Sequence, residues 1–265
     1  MIYKRFIKEA LEESATIAKK YFGKVSGTTK SYDNNQVLTE ADLAIGKHLI
    51  RKIKENYPEY NIIDEETGAI NNASDYTWVV DPIDGTSNFA NGVPTYGTII
   101  GLLEKDTPIA GGIVLPYFDQ TLIAEKGKGT LCNGRKVQVT KETRLLSTLL
   151  AYSIDSHIEN PALTREEVKL LGEIILHIRN LRASGSIYDI LQVVKGNYAG
   201  YLCRTSKIWD SVGTHIIVEE AGGIYTDFFG KPMNYSDPLH KIDDNYTFCA
   251  ASPALHKQLQ EIIHQ

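Results

Sequence analysis

The chain has 265 residues, 33 acidic against 28 basic, and a formal net charge of −5. With 42% hydrophobic and 23% charged residues it has the makeup of a globular protein able to bury a core without disulfides or structural zinc. No basic block suggests a nucleic-acid polymer as ligand, and no run of about 18 apolar residues offers a membrane span.

Residues 4–22 repeat apolar side chains at helical spacing, with Phe6, Ala10, Ile17 and Tyr21 on one face. The polar stretch 26–37 reads as an irregular, mobile loop. Residues 40–56 form a second amphipathic helix, expected to bury Leu43, Leu49, Ile50 and Ile53. Short strands are expected over 61–63, 76–80, 97–103, 109–115 and 121–125, each rich in β-branched or aromatic residues and bounded by turn residues. Gly127, Gly129 and Asn133-Gly134 mark a hairpin-rich stretch. Beyond it, helices are expected over 163–177, 187–195, 211–221 and 253–263, and strands over 149–152, 198–202, 223–226 and 246–250. No repeat or Pro/Ser-rich linker interrupts the chain, so it reads as one domain, 1–265. The mixture, with an antiparallel centre, predicts stacked α and β layers rather than an alternating βαβ sheet. Cys132, Cys203 and Cys249 are odd in number and widely spaced, as free thiols of a reducing compartment are. Lys8, Glu9, Glu12 and Glu13 break up any leader-like apolar stretch, so the cytoplasm is the expected location.

The strand over 76–80 runs into Asp81-Pro82-Ile83-Asp84-Gly85-Thr86-Ser87-Asn88. Pro82 fixes its own φ and is expected to turn the chain, and Gly85 permits a close approach that a side chain forbids. Asp81 and Asp84 then converge at a strand end, and such a pair repels itself unless a cation lies between its members. Oxygen ligands with few histidines nearby favour Mg²⁺ or Mn²⁺ over zinc. A helix-like turn over 84–89 would aim the amides of Gly85, Thr86 and Ser87 at an adjoining phosphate. Taken alone, the segment reads equally well as a capped turn with Thr86 as the cap. Asp64-Glu65-Glu66-Thr67 alone reads as a solvated acidic turn. Trp209-Asp210 and Thr39-Glu40-Ala41-Asp42 each read as a helix start, with Asp210 as an ordinary N-cap. His215, inside a predicted helix, reads as a core or supporting group. Tyr188 and Tyr201 are candidates to line a substrate ring, with core packing the plainer reading.

Together these segments resemble the inositol monophosphatase family, whose pattern is T-x-x-D, G-E-E, W-x-x-D-P-I-D-G-T-x-N-F, then W-D followed by E-A-G-G. Here they stand as Thr39-Glu40-Ala41-Asp42, Asp64-Glu65-Glu66, Trp78-Val79-Val80-Asp81 through Phe89, Trp209-Asp210 and Glu220-Ala221-Gly222-Gly223, in order over nearly the whole chain. The resemblance implies a mixed α/β layered sandwich, αβαβα, of the sugar-phosphatase type. It implies Mg²⁺-dependent hydrolysis of a small-molecule phosphate monoester, inositol-1-phosphate-like or a sugar phosphate, by metal-activated water. Two or three Mg²⁺ per site (Mn²⁺ as the alternative), lithium sensitivity and a homodimer are implied as well. So is a division into a metal- and phosphate-binding half, roughly 1–140, and a substrate-specificity half, 141–265.

By the same resemblance, Glu65, Asp81 and the Ile83 carbonyl would hold a first metal, and Asp81, Asp84 and Asp210 a second. The Gly85 and Thr86 amides, with Ser87, would bind phosphate. Thr86 and Asp42, with Glu65 beside them, would orient and deprotonate the attacking water. Lys30 lies near the family's loop lysine, one residue out of register. Asp84, Gly185, Ser186, Cys203, Arg204 and Asp210 would meet the rest of the substrate. The chain also departs from the pattern, and the changes around Cys203 and residues 182–189 bear on that substrate. Asp64 replaces the family's glycine. Cys203 stands where inositol-specific members place a glutamate, and a thiol is a poor acceptor for a hydroxyl. Arg204, expected at the pocket rim, would favour a second anionic group. The stretch Arg182 to Asp189 is also one residue shorter than the inositol-type G-S-A-A-L-D pattern, closer to nucleotide-bisphosphate phosphatases. Fructose 1,6-bisphosphate, 3′-phosphoadenosine nucleotides, NADP and histidinol phosphate therefore stay open. A haloacid-dehalogenase-type phosphatase would need one residue, not two, between its aspartates. A non-catalytic regulatory binding protein on the same fold is the rival of another class.

Overall fold

The computed structural model describes residues 1–30 and 33–265, with residues 33–36 described by backbone alone. The chain opens on α1 (Lys4–Tyr21), the strand pair β1 (Thr28–Lys30) and β2 (Asp33–Leu38), and α2 (Glu40–Asn56). An eight-stranded sheet follows, built from β3 (Asn61–Asp64), β4 (Gly68–Ile70), β5 (Tyr76–Asp84), β6 (Gly97–Glu104), β7 (Thr107–Leu115), β8 (Gln120–Glu125), β9 (Thr130–Cys132) and β10 (Arg135–Lys136). The short α3 (Thr86–Ala90) interrupts it after β5. The second half supplies β11 (Leu149–Ser153), α4 (Pro161–Ile175), β12 (Asn180–Arg182), α5 (Tyr188–Val194), β13 (Tyr198–Cys203), α6 (Ile208–Glu220), β14 (Ile224–Thr226), β15 (Phe248–Ala251) and α7 (Pro253–Ile263). Its strands form a five-stranded sheet in the order β12-β11-β13-β15-β14.

The expected layering is what the cores show. Phe6, Ile7 and Leu11 of α1 and Ile45, Leu49 and Ile53 of α2 pack against Trp78, Val80, Ile100 and Leu102 on one face of the large sheet. Its other face, through Ile99, Ile113 and Leu122, meets Ile190 and Val194 of α5 and Ile216 and Ile217 of α6. Those helices also cover Tyr201, Phe248 and Ala250 of the small sheet. Ala199, Leu202 and Cys249 on that sheet's far side meet Ile174 of α4 and Leu255 and Leu259 of α7. The stack is α, β, α, β, α, with α5 and α6 shared between the sheets.

Four local expectations change. Within the stretch expected as an irregular loop, β1 and β2 pair antiparallel, with Thr28 opposite Leu38 and a register shift between Thr29 and Lys30, while residues 31 and 32 lie outside the described residues. Leu43 is 49% exposed, because the buried stripe of α2 runs through the small residues Ala41 and Gly46 and then Ile45, Leu49 and Ile53. Helix α6 starts three positions before 211, so Asp210 is not its N-cap but its third residue, with its carboxylate accepting from the Lys207 amide at 2.7 Å. Pro82 does not turn the chain. β5 runs through to Asp84 with a bulge, since Asp81 faces Ile99 and Asp84 faces Gly97 on β6.

Candidate active site

The bulge in β5 decides how the first two carboxylates can meet. In a regular strand, residues three apart point to opposite faces. Three steps along β5, from Asp81 to Asp84, match only two along β6, so one extra residue restores the parity. A bulge is also where a sheet tolerates a proline, which has no N–H for the ladder. Gly85 follows at φ +80°. A Cβ there would stand 3.0 Å from both the Ser186 Cβ and the Thr95 carbonyl, so glycine is required on two counts.

Asp210 comes to the same point from α6, across the interlayer. One oxygen from each of Asp81, Asp84 and Asp210 lies within 4.8 Å of the others. The helix is held close by glycines. A Cβ on Gly101 would meet the Gly213 amide at 2.6 Å, and one on Gly111 would meet the Gly213 carbonyl at 2.8 Å. A Cβ on Gly213 would meet the Ile100 carbonyl at 2.8 Å.

The three carboxylates floor a cavity of about 570 Å³ that is also lined by Glu65, Ile83, Gly85, Thr86, Ser87, Gly185 and Cys203. Burial, then the charges of Glu65, Asp84 and Asp210, pushes the Asp81 carboxyl well above its usual range. Burial, then Asp210, does the same to Asp84, against a hydrogen bond that its Oδ1 accepts from the Ile187 amide. Burial lifts Asp210 from 3.8 to about 6. Among the described residues, buried Asp81 Oδ1 has no hydrogen-bond partner. Mutual repulsion, an unpartnered buried oxygen and an all-oxygen donor set fit a hard divalent cation.

Glu65 holds a cation of the chain's own. Lys30 Nζ, on β1, donates to Glu65 at 2.8 Å and to Glu66 at 2.9 Å. Burial alone would depress the ammonium, but the two carboxylates outweigh it and hold it above its ordinary range. Burial and neighbouring Glu65 still lift Glu66 to about 7.

Asp42 is fully buried and does not line the cavity. Its Oδ2 accepts from the Thr39 amide at 2.8 Å and the Thr39 hydroxyl at 2.5 Å, closing a capping box on α2. Burial raises it from 3.8 to about 6 in spite of those bonds. Its Oδ1 lies 3.3 Å from Thr86 Oγ1, whose closer acceptor is the Ile83 carbonyl at 2.7 Å.

On the substrate side, Gly185 and Cys203 line the cavity, but two of the expected residues do not. Ser186 is 2% exposed, packed behind Gly85 with its hydroxyl 3.3 Å from that of Ser184. Arg204 is not at the rim. Its guanidinium lies 5.4 Å over the Phe228 ring and 5.7 Å over that of Phe229, with Glu166 at 3.9 Å. Cys203 is 5% exposed and its thiol donates to the Thr205 carbonyl at 3.0 Å. Tyr201 lines the cavity, whereas Tyr188 packs on Phe118. His215 stacks on Tyr225 and pairs with the Tyr235 hydroxyl at 3.1 Å, a core role.

Sequence reasoning missed Asp155, Lys207 and Asn245 on the cavity wall. It also missed the work of Asn88, whose amide donates to the Thr95 and Ser184 carbonyls at 2.9 and 2.8 Å and ties the motif to the 183–187 loop. Asn88 stands in the D-G-T-x-N-F motif, which marks its position but not these partners, while Asp155, Lys207 and Asn245 carry no local signal because they face the cavity only after the sheets assemble.

A thermal prediction follows. Carboxyls raised on folding stabilise the protein in their neutral form. That contribution is complete below about 4, the unfolded range, and is lost as pH rises through the folded values, about 6 for Asp210. A divalent cation binds the charged form, so its stabilisation grows over the same interval. Saturating MgCl₂ is expected to raise Tm by about 5–10 °C at pH 8 and by much less at pH 5. Equal shifts in calorimetry at both pH values would count against this site.

Compared with known proteins, a sequence profile described as the inositol monophosphatase family matches residues 3–265. A fructose-1,6-bisphosphatase/inositol-1-monophosphatase of Aquifex aeolicus is 28% identical over 241 residues, 89% of each chain. A protein named Nus factor SuhB in Pasteurella multocida is 30% identical over 96% of this chain and 92% of its own. The solved IMPase of Thermotoga maritima superposes with a TM-score of 0.86 at 25% identity, covering 100% of this chain and 97% of that one.

Proposed function

The chain belongs to the inositol monophosphatase family and is a phosphomonoester hydrolase, and from that premise we propose that it cleaves a small polyol or sugar monophosphate with Mg²⁺ as its cation. The observation that carries this is the convergence of Asp81, Asp84 and Asp210 within 4.8 Å on the floor of the cavity.

Asp81, Glu65 and the Ile83 carbonyl would hold one Mg²⁺, and Asp81, Asp84 and Asp210 a second. When bound, such ions lower the pKa of coordinated water and neutralise charge on the phosphoryl and leaving oxygens. The chain's own residues do the placing. Gly85, Thr86 and Ser87 offer backbone amides at the cavity floor for the phosphoryl oxygens. Thr86 Oγ1 accepts a proton from the attacking water while passing its own to Asp42 Oδ1. Asp42 is suited to this because burial raises its basicity, to about 6, closer to the pH at which a general base works. To hold a cation, Glu65 would have to release the Lys30 ammonium, which donates to it at 2.8 Å.

A second reading has one observation in its favour: some relatives carry the name Nus factor SuhB, as in Pasteurella multocida. A regulatory binding role would not by itself require Asp81, Asp84 and Asp210 to converge on the cavity or Thr86 to lie beside Asp42, which supports the catalytic reading. A homodimer is proposed from the family. Among the described residues, no helix is long and apolar enough to cross a membrane.

The direct test is phosphate release from a panel of monoesters. Turnover is expected with Mg²⁺, to be abolished by excess chelator and inhibited by lithium. Full activity in chelator would refute the cation assignment, and no release from any ester would favour the regulatory reading.

A further inference from the structure

Asp64 ends β3, one position before Glu65, and is wholly buried. It is therefore no part of a solvated turn. β3 and β4 pair antiparallel with Asp64 opposite Gly68, so Glu65, Glu66 and Thr67 form a three-residue hairpin loop. Gly68, at φ +82°, supplies the left-handed residue that such a loop needs. Asp64 Oδ2 closes the loop, accepting from the Thr67 amide at 2.9 Å and from the Thr67 hydroxyl at 2.8 Å. An aspartate that heads a turn and bonds to the backbone ahead of it is a favoured way to hold one.

The near end of the loop is tied as well. The Glu65 amide donates to the Val80 carbonyl at 3.3 Å, on the residue before Asp81. The second Asp64 oxygen is sealed between α2 and the β5 bulge. A Cβ on Gly46 would stand 3.0 Å from Asp64 Oδ1 and 3.3 Å from Pro82 Cγ. The Asp64 side chain thus lies where α2, the loop carrying Glu65 and the bulge carrying Asp81 and Asp84 meet. Glu65 itself lines the cavity, near enough to Asp81 for its charge to raise that carboxyl. Lys30 now holds the Glu65 carboxylate, and a cation on Glu65 would take that hold away, leaving its place to the backbone of the loop.

We infer that Asp64 is a positioning residue for the cation site: by clamping Thr67 it fixes the loop that presents Glu65 to the cavity beside Asp81. This rests on the assignment of Glu65 as a cation ligand above. Glu65 and Glu66 are like charges on adjacent residues, and a loose loop lets them swing apart toward water, where each is better solvated. Groups that orient a metal ligand without touching the metal are worth tenfold or more in affinity. The clamp needs an acceptor oxygen rather than a charge, because both of its bonds are donated by Thr67. Asparagine keeps that oxygen and alanine does not.

The test titrates Mn²⁺ into the chelator-stripped full-length protein by calorimetry, with Glu65→Gln marking the binding step that depends on Glu65. Asp64→Ala is expected to weaken that same step about tenfold, and Asp64→Asn to stay within about threefold of wild type. Thr67→Val, which removes the hydroxyl half of the clamp, is expected to weaken it about threefold. In turnover of p-nitrophenyl phosphate, the Mg²⁺ concentration for half-maximal rate should rise in parallel, with kcat at saturating Mg²⁺ within about twofold of wild type. Asp64→Ala with wild-type Mn²⁺ affinity and a lowered Tm would make Asp64 a structural turn cap alone and overturn the inference. Asp64→Asn as impaired as Asp64→Ala would overturn it too, because the charge rather than the clamp would then matter. If Asp64→Ala does not fold, wild-type affinity in Thr67→Val overturns it. A wild type that binds no Mn²⁺, or a Glu65→Gln variant that binds as wild type does, refutes the underlying assignment and the inference with it.

Discussion

Asp84→Asn is expected to lower kcat/KM by about 10³-fold or more and, without cation at pH 8, to melt at a higher temperature than the wild type. The two effects have opposite signs because they come from one charge. With cations bound, Asp84 would supply a ligand that a neutral amide replaces poorly. Without them, it is one of several buried carboxylates whose ionisation burial and Asp210 oppose. Asparagine is the informative substitution, since its carbonyl still accepts from the Ile187 amide that Asp84 Oδ1 receives. The same logic covers Asp210→Asn, which can still accept from the Lys207 amide. Steady-state kinetics in Mg²⁺ and calorimetry in chelator check both halves. A variant with wild-type turnover, or one that melts lower than wild type in chelator at pH 8, would contradict the assignment.

Gly213→Ala should destabilise the protein by about 2–3 kcal/mol, although alanine is the better helix former by about 1 kcal/mol. The packing term wins because the new methyl has nowhere to go. It would stand 2.7 Å from Ile99 Cγ2 and 2.8 Å from the Ile100 carbonyl, and backbone cannot swing aside as a side chain can. Gly101→Ala presses on the same contact from the sheet, 2.6 Å from the Gly213 amide. Relief can come only by moving α6 off β6, and α6 carries Asp210. We therefore expect Tm to fall by about 5–10 °C and the Mg²⁺ concentration for half-maximal activity to rise. A stabilised Gly213→Ala protein would show that helix propensity outweighs this packing contact.

The long amphipathic helices and the hydrophobic strands were legible because their cores repeat at a fixed period, as with Leu49 and Ile53 or the run 97–103. Leu43 misled because apolar character was taken for inward direction, while Ala41 and Gly46 held the buried stripe. The pair β1 and β2 is made largely of polar residues, so its pairing leaves little trace in hydropathy. Carboxylates of the site were legible through motif spacing, yet their convergence was not. It depends on the β5 bulge, which needs the partner strand to be seen, and on the glycine contact under α6. Arg204 was misplaced because spacing cannot say which side of β13 its neighbours face.

The carboxylate cluster also bears on how the chain folds. Asp81 and Asp84 sit on β5 and Asp210 on α6, so the site closes a loop from residue 81 to residue 210. Such long-range contacts form late, after their loop entropy has been met by packing of the interlayer. Until then no chelating group exists, and a divalent ion has little to organise. A bound ion would thus act as a lock applied to a finished structure rather than a template for assembly, slowing escape from the native state while leaving its formation rate nearly untouched.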